Sequence, residues 1–249
     1  MVFRIQVAER IVEIRSVYEY IYIKCRDYLI ERDLLAEPDI LIRVTQSDLT
    51  KELKRIQSAE MKGIWYDPWI KTPEQLEVTA VYRKIADSML SFDTILMHGA
   101  VISTKGKGYI ITAPRGVGKS TRARIWADTV PDSYIINGDK PLLRISKDAV
   151  YAYGTPWCGK EGWNRPGSVS LQAVLFLERT DREDDEYLEE MSSNKAVFPL
   201  IQQVYFSGNP AETRKTLELI KLLYGQVKFY YYRGAPTKHS IVSVYERIQ

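Results

Sequence analysis

The sequence predicts an α/β protein: a P-loop core with a mixed sheet over residues 91–249, preceded by a small α+β domain over residues 1–90. Three observations lead there. The stretch "GYIITAPRGVGKSTRARIWAD" reads as strand, glycine-bearing turn and helix in immediate succession. From about residue 91 onward, apolar strand-like runs are interleaved with helical patterns. The first ninety residues instead combine short alternating strands with helices whose starts are marked by capping residues.

In the N-terminal part, "FRIQV" and "RIVEIRS" alternate as strands do. Ile21, Cys25, Tyr28 and Leu29 then recur at helical spacing, and "DILIRVT" returns to strand character. Ser47 precedes a helix with Leu49, Leu53 and Ile56 on one face. A second helix, "TPEQLEVTAVYRKIADSML", opens with Thr72 as N-cap, Pro73 in the first turn and Gln75 completing a capping box. Between these helices, Trp65 and Trp69 read as packing between subdomains rather than as a ligand cage.

In the larger part, "TILMHGAVIS" and "GYIITA" are apolar strands joined by "TKGKG", a turn suited to a β-hairpin. The helix "KSTRARIWAD" follows, then the strands "SYIIN", "LLRI", "AVYAY" and "LQAVLFLE". Amphipathic helices cover about 194–206 and 211–223, and the strand "QVKFYYYR" and a helix ending at Gln249 close the chain. The acidic run "ERTDREDDEYLEE", 178–190, reads as a solvated loop or helix face.

Composition narrows the function classes. With 45% hydrophobic and 27% charged residues, the chain has the make-up of a soluble globular protein. A net charge of +3 without a basic block argues against nucleic acid as partner. Cys25 and Cys158 fit neither a zinc-ligand spacing nor a disulfide framework. The N-terminus has no apolar signal-like core, and no apolar run reaches the roughly 18 residues of a membrane span. The expectation is a cytoplasmic protein with no membrane partner.

"APRGVGKST", 113–121, carries the chemistry. Such a loop binds phosphate because consecutive backbone N–H groups and a helix N-terminus converge on its oxygens. Arg115, Gly116, Val117, Gly118, Lys119, Ser120 and Thr121 are the candidate nucleotide-binding residues. Lys119 supplies charge and the Ser120 hydroxyl a ligand for Mg²⁺; Ala113, where the pattern wants glycine, ends the strand with a small side chain. Arg115 is either an exposed arginine or a built-in cation for the transferring phosphoryl group. A hairpin turn centred between Lys105 and Gly106 places His98 opposite Ala113, at the mouth of the loop, as a catalytic or orienting candidate. Asp139 follows the next strand after the loop helix. A right-handed crossover brings that strand's end beside the phosphates, where a carboxylate can hold Mg²⁺ or take a proton. "YGTPWCGKEGWNRPG", 153–167, is a rigid polar loop offering Lys160 for phosphate and Glu161 for a metal or acceptor group; a structural turn cluster is the other reading.

Taken in order, "MHGAVI", "APRGVGKST" and "INGDKPLLRI" resemble the HPr kinase/phosphorylase superfamily, which has a PEP carboxykinase-like nucleotide fold. The resemblance extends through "VSLQAVLFLER" and "VKFYYYRGA", covering about residues 91–235. With "GTPW" and "GKE" after the Asp motif, the chain is similar to small HPr kinase-related proteins, some of which phosphorylate serine on peptides. The resemblance implies that Gly116 to Thr121 hold the β-phosphate, that Ser120 and Asp139 share Mg²⁺, and that His98 belongs to the active site. One departure stands out: the family commonly has two adjacent aspartates where this chain has Gly138 and Asp139. Asp139 must then do double duty, or His98 or Glu161 takes the proton.

The expected activity is that of an ATP- and Mg²⁺-dependent kinase acting on a hydroxyl, chiefly a serine of a protein or peptide. Catalysis would fall to Asp139, His98, Lys119 and Glu161, with residues 1–90 recognising the acceptor. A small-molecule kinase and a nucleotide-binding regulatory module without chemistry are the rival readings, and a homo-oligomer is compatible with all three.

Overall fold

The computed structural model describes residues 1–30, 37–61, 70 and 72–249. They form two compact units, Met1–Ser88 and Met89–Gln249. Trp65 and Trp69 lie outside the described residues. No helix among the described residues is long and apolar enough to cross a membrane.

In the first unit, β1 (Val2–Val7) and β2 (Arg10–Arg15) pair antiparallel, and β3 (Ile40–Arg43) adds parallel to β2. Strand alternation buries Phe3, Ile5, Val12, Ile14, Ile40 and Ile42. A short α1 (Tyr20–Lys24) follows β2. Helix α2 (Gln46–Met61) begins earlier than Ser47 suggested, because Asp48 Oδ2 accepts from both the N–H and the hydroxyl of Thr45, each at 2.8 Å. Helix α3 (Pro73–Met89) carries the expected capping box: Thr72 N–H donates to Gln75 Oε1 at 3.1 Å, and Gln75 N–H to Thr72 Oγ1 at 3.4 Å. Buried Glu77 on this helix accepts the N–H groups of Val17 and Tyr18, which fixes the chain entering α1.

The second unit is a mixed α/β structure on a nine-stranded sheet. The run read as one strand is divided into β4 (Thr94–Leu96) and β5 (Ala100–Thr104). Its partner run holds β7 (Ser133–Asn137) and β8 (Leu142–Ile145). β4 pairs β8 and β5 pairs β7, both antiparallel. Between them Met97 N–H donates to Pro141 O at 3.1 Å and Gly99 N–H to Asp139 O at 2.8 Å, so register persists across the break. The β5–β6 hairpin (β6, Lys107–Thr112) turns on Lys105 and Gly106, both at positive φ, with Ala100 opposite Ile111 as expected. β7 lies beyond β5 and runs in the same direction as β6.

The long β10 (Ser168–Arg179) pairs parallel with β6 and with β12 (Lys228–Gly234), and antiparallel with β9 (Val150–Tyr153), which in turn pairs β8. The pairing therefore returns to the run it started from. Side chains alternate between two buried faces, apart from a register shift in β10 between Leu171 and Ala173. Val101, Ile110, Val174 and Phe229 pack with α5 (Ser193–Ile201) and α6 (Pro210–Tyr224). Ile102, Ile111, Leu175 and Tyr230 pack with α4 (Lys119–Thr129) and α7 (Lys238–Ile248). Two expectations need correction. The acidic run ends in a strand, β11 (Tyr187–Glu190), because its tail pairs with the edge of β12. Helix α5 stops at Ile201, short of 206, because the following residues pair instead with the end of β4, Tyr205 N–H donating to Leu96 O at 2.9 Å.

Candidate functional site

Residues 113–118 join β6 to α4. Gly116 and Gly118 take φ of 81° and 105°, which residues with a Cβ rarely adopt, and this turn carries the chain from strand into helix. Gly118 is the N-cap of α4 and has no side chain to cap it, so the first-turn N–H groups receive no side-chain acceptor. Lys119 is only 8% exposed, and its Nζ donates to Ala113 O at 2.9 Å and to Pro114 O at 3.5 Å. Burial drives its pKa down to about 8, with Asp139 and Glu161 acting in the opposite sense and Lys140 and Arg115 adding to the fall. Ser120 and Val117 are half-buried, while Arg115 and Thr121 are exposed. Val117 packs against the α4–α7 core.

Beneath the loop lies a residue that the sequence reading missed. The buried guanidinium of Arg122 donates to the carbonyls of Val117 at 3.4 Å, Gly118 at 3.5 Å and Gly234, tying the loop to the end of β12. Its one sequence signal is a basic residue four positions before Trp126, on the apolar side of the helix.

The turn at the end of β7 presents Asp139. Asn137, fully buried, organises it: its Oδ1 accepts the N–H groups of Asp139 (2.9 Å) and Lys140 (2.8 Å). Its Nδ2 donates to Thr155 O and Oγ1, both at 3.0 Å. Gly138 has no space for a side chain: a Cβ there would lie 2.9 Å from Cys158 O, while its N–H donates to Trp163 O at 2.9 Å. The position occupied by a second aspartate in the resembled family is thus closed by the 153–167 loop.

His98 sits in the opened stretch between β4 and β5. Its N–H donates to Gln203 O at 2.7 Å, its carbonyl accepts Thr112 Oγ1 at 2.6 Å, and its Nδ1 is 3.0 Å from Gln203 Oε1. Its Nε2 is 3.3 Å from Asp139 Oδ1, and the ammonium of Lys140 contacts Oδ2. Burial would raise the Asp139 pKa. The His98 hydrogen bond and the Lys140 charge outweigh burial and hold the carboxyl well below the usual carboxylate range. Gln203, just past α5, was not legible as a site residue.

Gly159 adjoins both acids: a Cβ there would be 3.3 Å from Asp139 Cβ and 3.4 Å from Glu161 Oε2. The structure therefore brings together Lys119, His98, Asp139 and Glu161. Lys160 is exposed. Among the described residues no group of three or more His, Cys, Asp or Glu side chains is placed to hold a metal ion. A Mg²⁺ ion, which keeps water and phosphate ligands, would need only one or two ligands from protein. In chemical terms the arrangement offers an anion-attracting helix start, a buried cation, and an ionised carboxylate hydrogen-bonded to an imidazole.

No protein-family model and no curated protein matches the chain in the comparisons made. Among solved structures it is similar to the Hpr(Ser) kinase/phosphatase from Coxiella burnetii, at a TM-score of 0.29 and 10% identity, over 52% of this chain and 88% of that one. A likeness at that level is distant and carries no argument about the site.

Proposed function

We propose that the protein is an ATP- and Mg²⁺-dependent kinase that transfers the γ-phosphoryl group to a hydroxyl, with a serine of a protein or peptide as acceptor. The observation that carries this reading is the meeting of an uncapped helix start and buried Lys119 with an ionised Asp139 hydrogen-bonded to His98. A phosphate-free ligand would have little use for that charge pattern.

The loop amides from Gly116 to Thr121 and the α4 dipole hold the inner phosphates, and Lys119 neutralises charge that grows during transfer. Arg115 and Lys160 are exposed and are assigned to further contacts with the phosphates. Ser120 and Asp139 would hold Mg²⁺, which supplies a Lewis acid to the terminal phosphates. Because Gly138 cannot provide a second carboxylate, Asp139 does double duty, or His98 or Glu161 takes the proton of the acceptor hydroxyl. Residues 1–90 are assigned to acceptor recognition.

Calorimetric titration of Mg²⁺–ATP tests the nucleotide half, and Lys119→Ala should weaken affinity by about tenfold or more. Labelled γ-phosphate transfer to serine peptides tests the kinase half, and Asp139→Asn should abolish it. No ATP affinity, or an affinity indifferent to Lys119→Ala, would sink the reading.

A further inference from the structure

Lys140, within "INGDKPLLRI" but not among the candidate site residues, has a defined place in the structure. The hydrogen bonds of Met97 N–H to Pro141 O and of Gly99 N–H to Asp139 O bracket one position, so Lys140 stands across the paired runs from His98. Its backbone is anchored on both sides. Its N–H donates to Asn137 Oδ1 at 2.8 Å and its carbonyl accepts Thr155 Oγ1 at 2.7 Å. The side chain is 27% exposed, and its ammonium contacts Asp139 Oδ2 while His98 Nε2 approaches Oδ1. Both oxygens of the carboxylate proposed to hold the metal are thus engaged by protein groups. The Lys140 charge is also felt at Lys119, where it lowers the pKa.

We propose that Lys140 is a second phosphate-binding lysine, which contacts Asp139 in the structure and transfers to the terminal phosphate of a bound nucleotide. This rests on the nucleotide reading above. The exchange would keep charges matched: the ammonium would leave a carboxylate for a phosphate oxygen, and Asp139 would be freed to hold the metal ion. A flexible four-carbon stem on a fixed root permits the swing without moving backbone. The loop amides and Lys119 lie at the helix start, whereas Lys140 lies beside Asp139 and His98. Set beside the groups assigned to the transfer step, Lys140 is assigned to the terminal phosphate.

The test is the ratio of affinities for Mg²⁺–ATP and Mg²⁺–ADP in the full chain, by calorimetry. Lys140→Met should weaken ATP binding by about tenfold or more, the loss of a hydrogen bond between charged groups, and leave ADP binding within about twofold. Lys140→Arg should retain most of the ATP preference, and Lys140→Gln serves for the ratio if the Met variant does not fold. Equal losses for both nucleotides, or no loss for either, would overturn the assignment. A wild-type chain that binds neither nucleotide would remove the underlying reading and this one with it.

Discussion

Gly138→Ala isolates a close backbone contact at the site. The added Cβ would stand 2.9 Å from Cys158 O, nearer than such atoms come without a shift, and 3.5 Å from Trp163 O. Neither side yields easily. Cys158 and its neighbour Trp157 are buried, Trp163 O is held by the Gly138 N–H, and Asn137 ties the same turn to Thr155. Overpacking of this kind costs about 1–3 kcal/mol. For a unit of this size each kcal/mol lowers Tm by roughly 2–4 °C, so a fall of about 2–12 °C is expected in a calorimetric scan. Because the turn must shift, Asp139 moves from His98 and Lys140, and Mg²⁺–ATP affinity should fall with stability. Gly138→Asp, which restores the residue of the resembled family, should be worse on both measures. A Gly138→Ala protein with an unchanged Tm and nucleotide affinity would refute the reasoning.

Two further outcomes follow from the same neighbourhood. Lys119 has a folded pKa of about 8 against 10.5 for the free side chain, so its proton favours the unfolded chain and its contribution to stability rises as pH climbs from about 8 toward 10.5. Phosphate beside it reverses that depression. Nucleotide binding at pH 8.5 should then take up about 0.7 proton, against roughly 0.1 at pH 7, read as a buffer-dependent binding enthalpy; identical enthalpies in HEPES and Tris at pH 8.5 would contradict it. Asn137→Ala leaves the N–H groups of Asp139 and Lys140 and the Thr155 carbonyl without their buried partner, and should cost about 2–4 kcal/mol in urea unfolding. A loss below about 1 kcal/mol would show that the turn does not depend on it.

Local signals were legible and distant closures were not. The capping box at Thr72 and Gln75 and the turn at Lys105 and Gly106 depend on residues adjacent in sequence, and they appear as read. The hairpin register also put His98 beside the loop, since Thr112, next to Ala113, donates to its carbonyl. By contrast, Gln203 reaches His98 from 105 residues away, and Arg122 reaches Gly234 from 112. No periodicity encodes which strand edge will meet which loop. Lys140 adjoins Asp139 in sequence, and only the cross-strand register shows that it stands across from His98. The split of 94–104 into two strands was hidden for a related reason: both halves are apolar on both faces, so nothing marks the three residues where the ladder opens.

The returning circuit of strand pairings bears on how the chain folds. Residue 94 must meet 144, 107 must meet 170, and 173 must meet 228 before the sheet is complete. Contacts so far apart in sequence carry a large loop-closure entropy and form late. His98, Lys119, Asp139, Glu161 and Gln203 come from separate arcs of that circuit. These five side chains therefore come together only when arcs far apart in sequence have closed on one another.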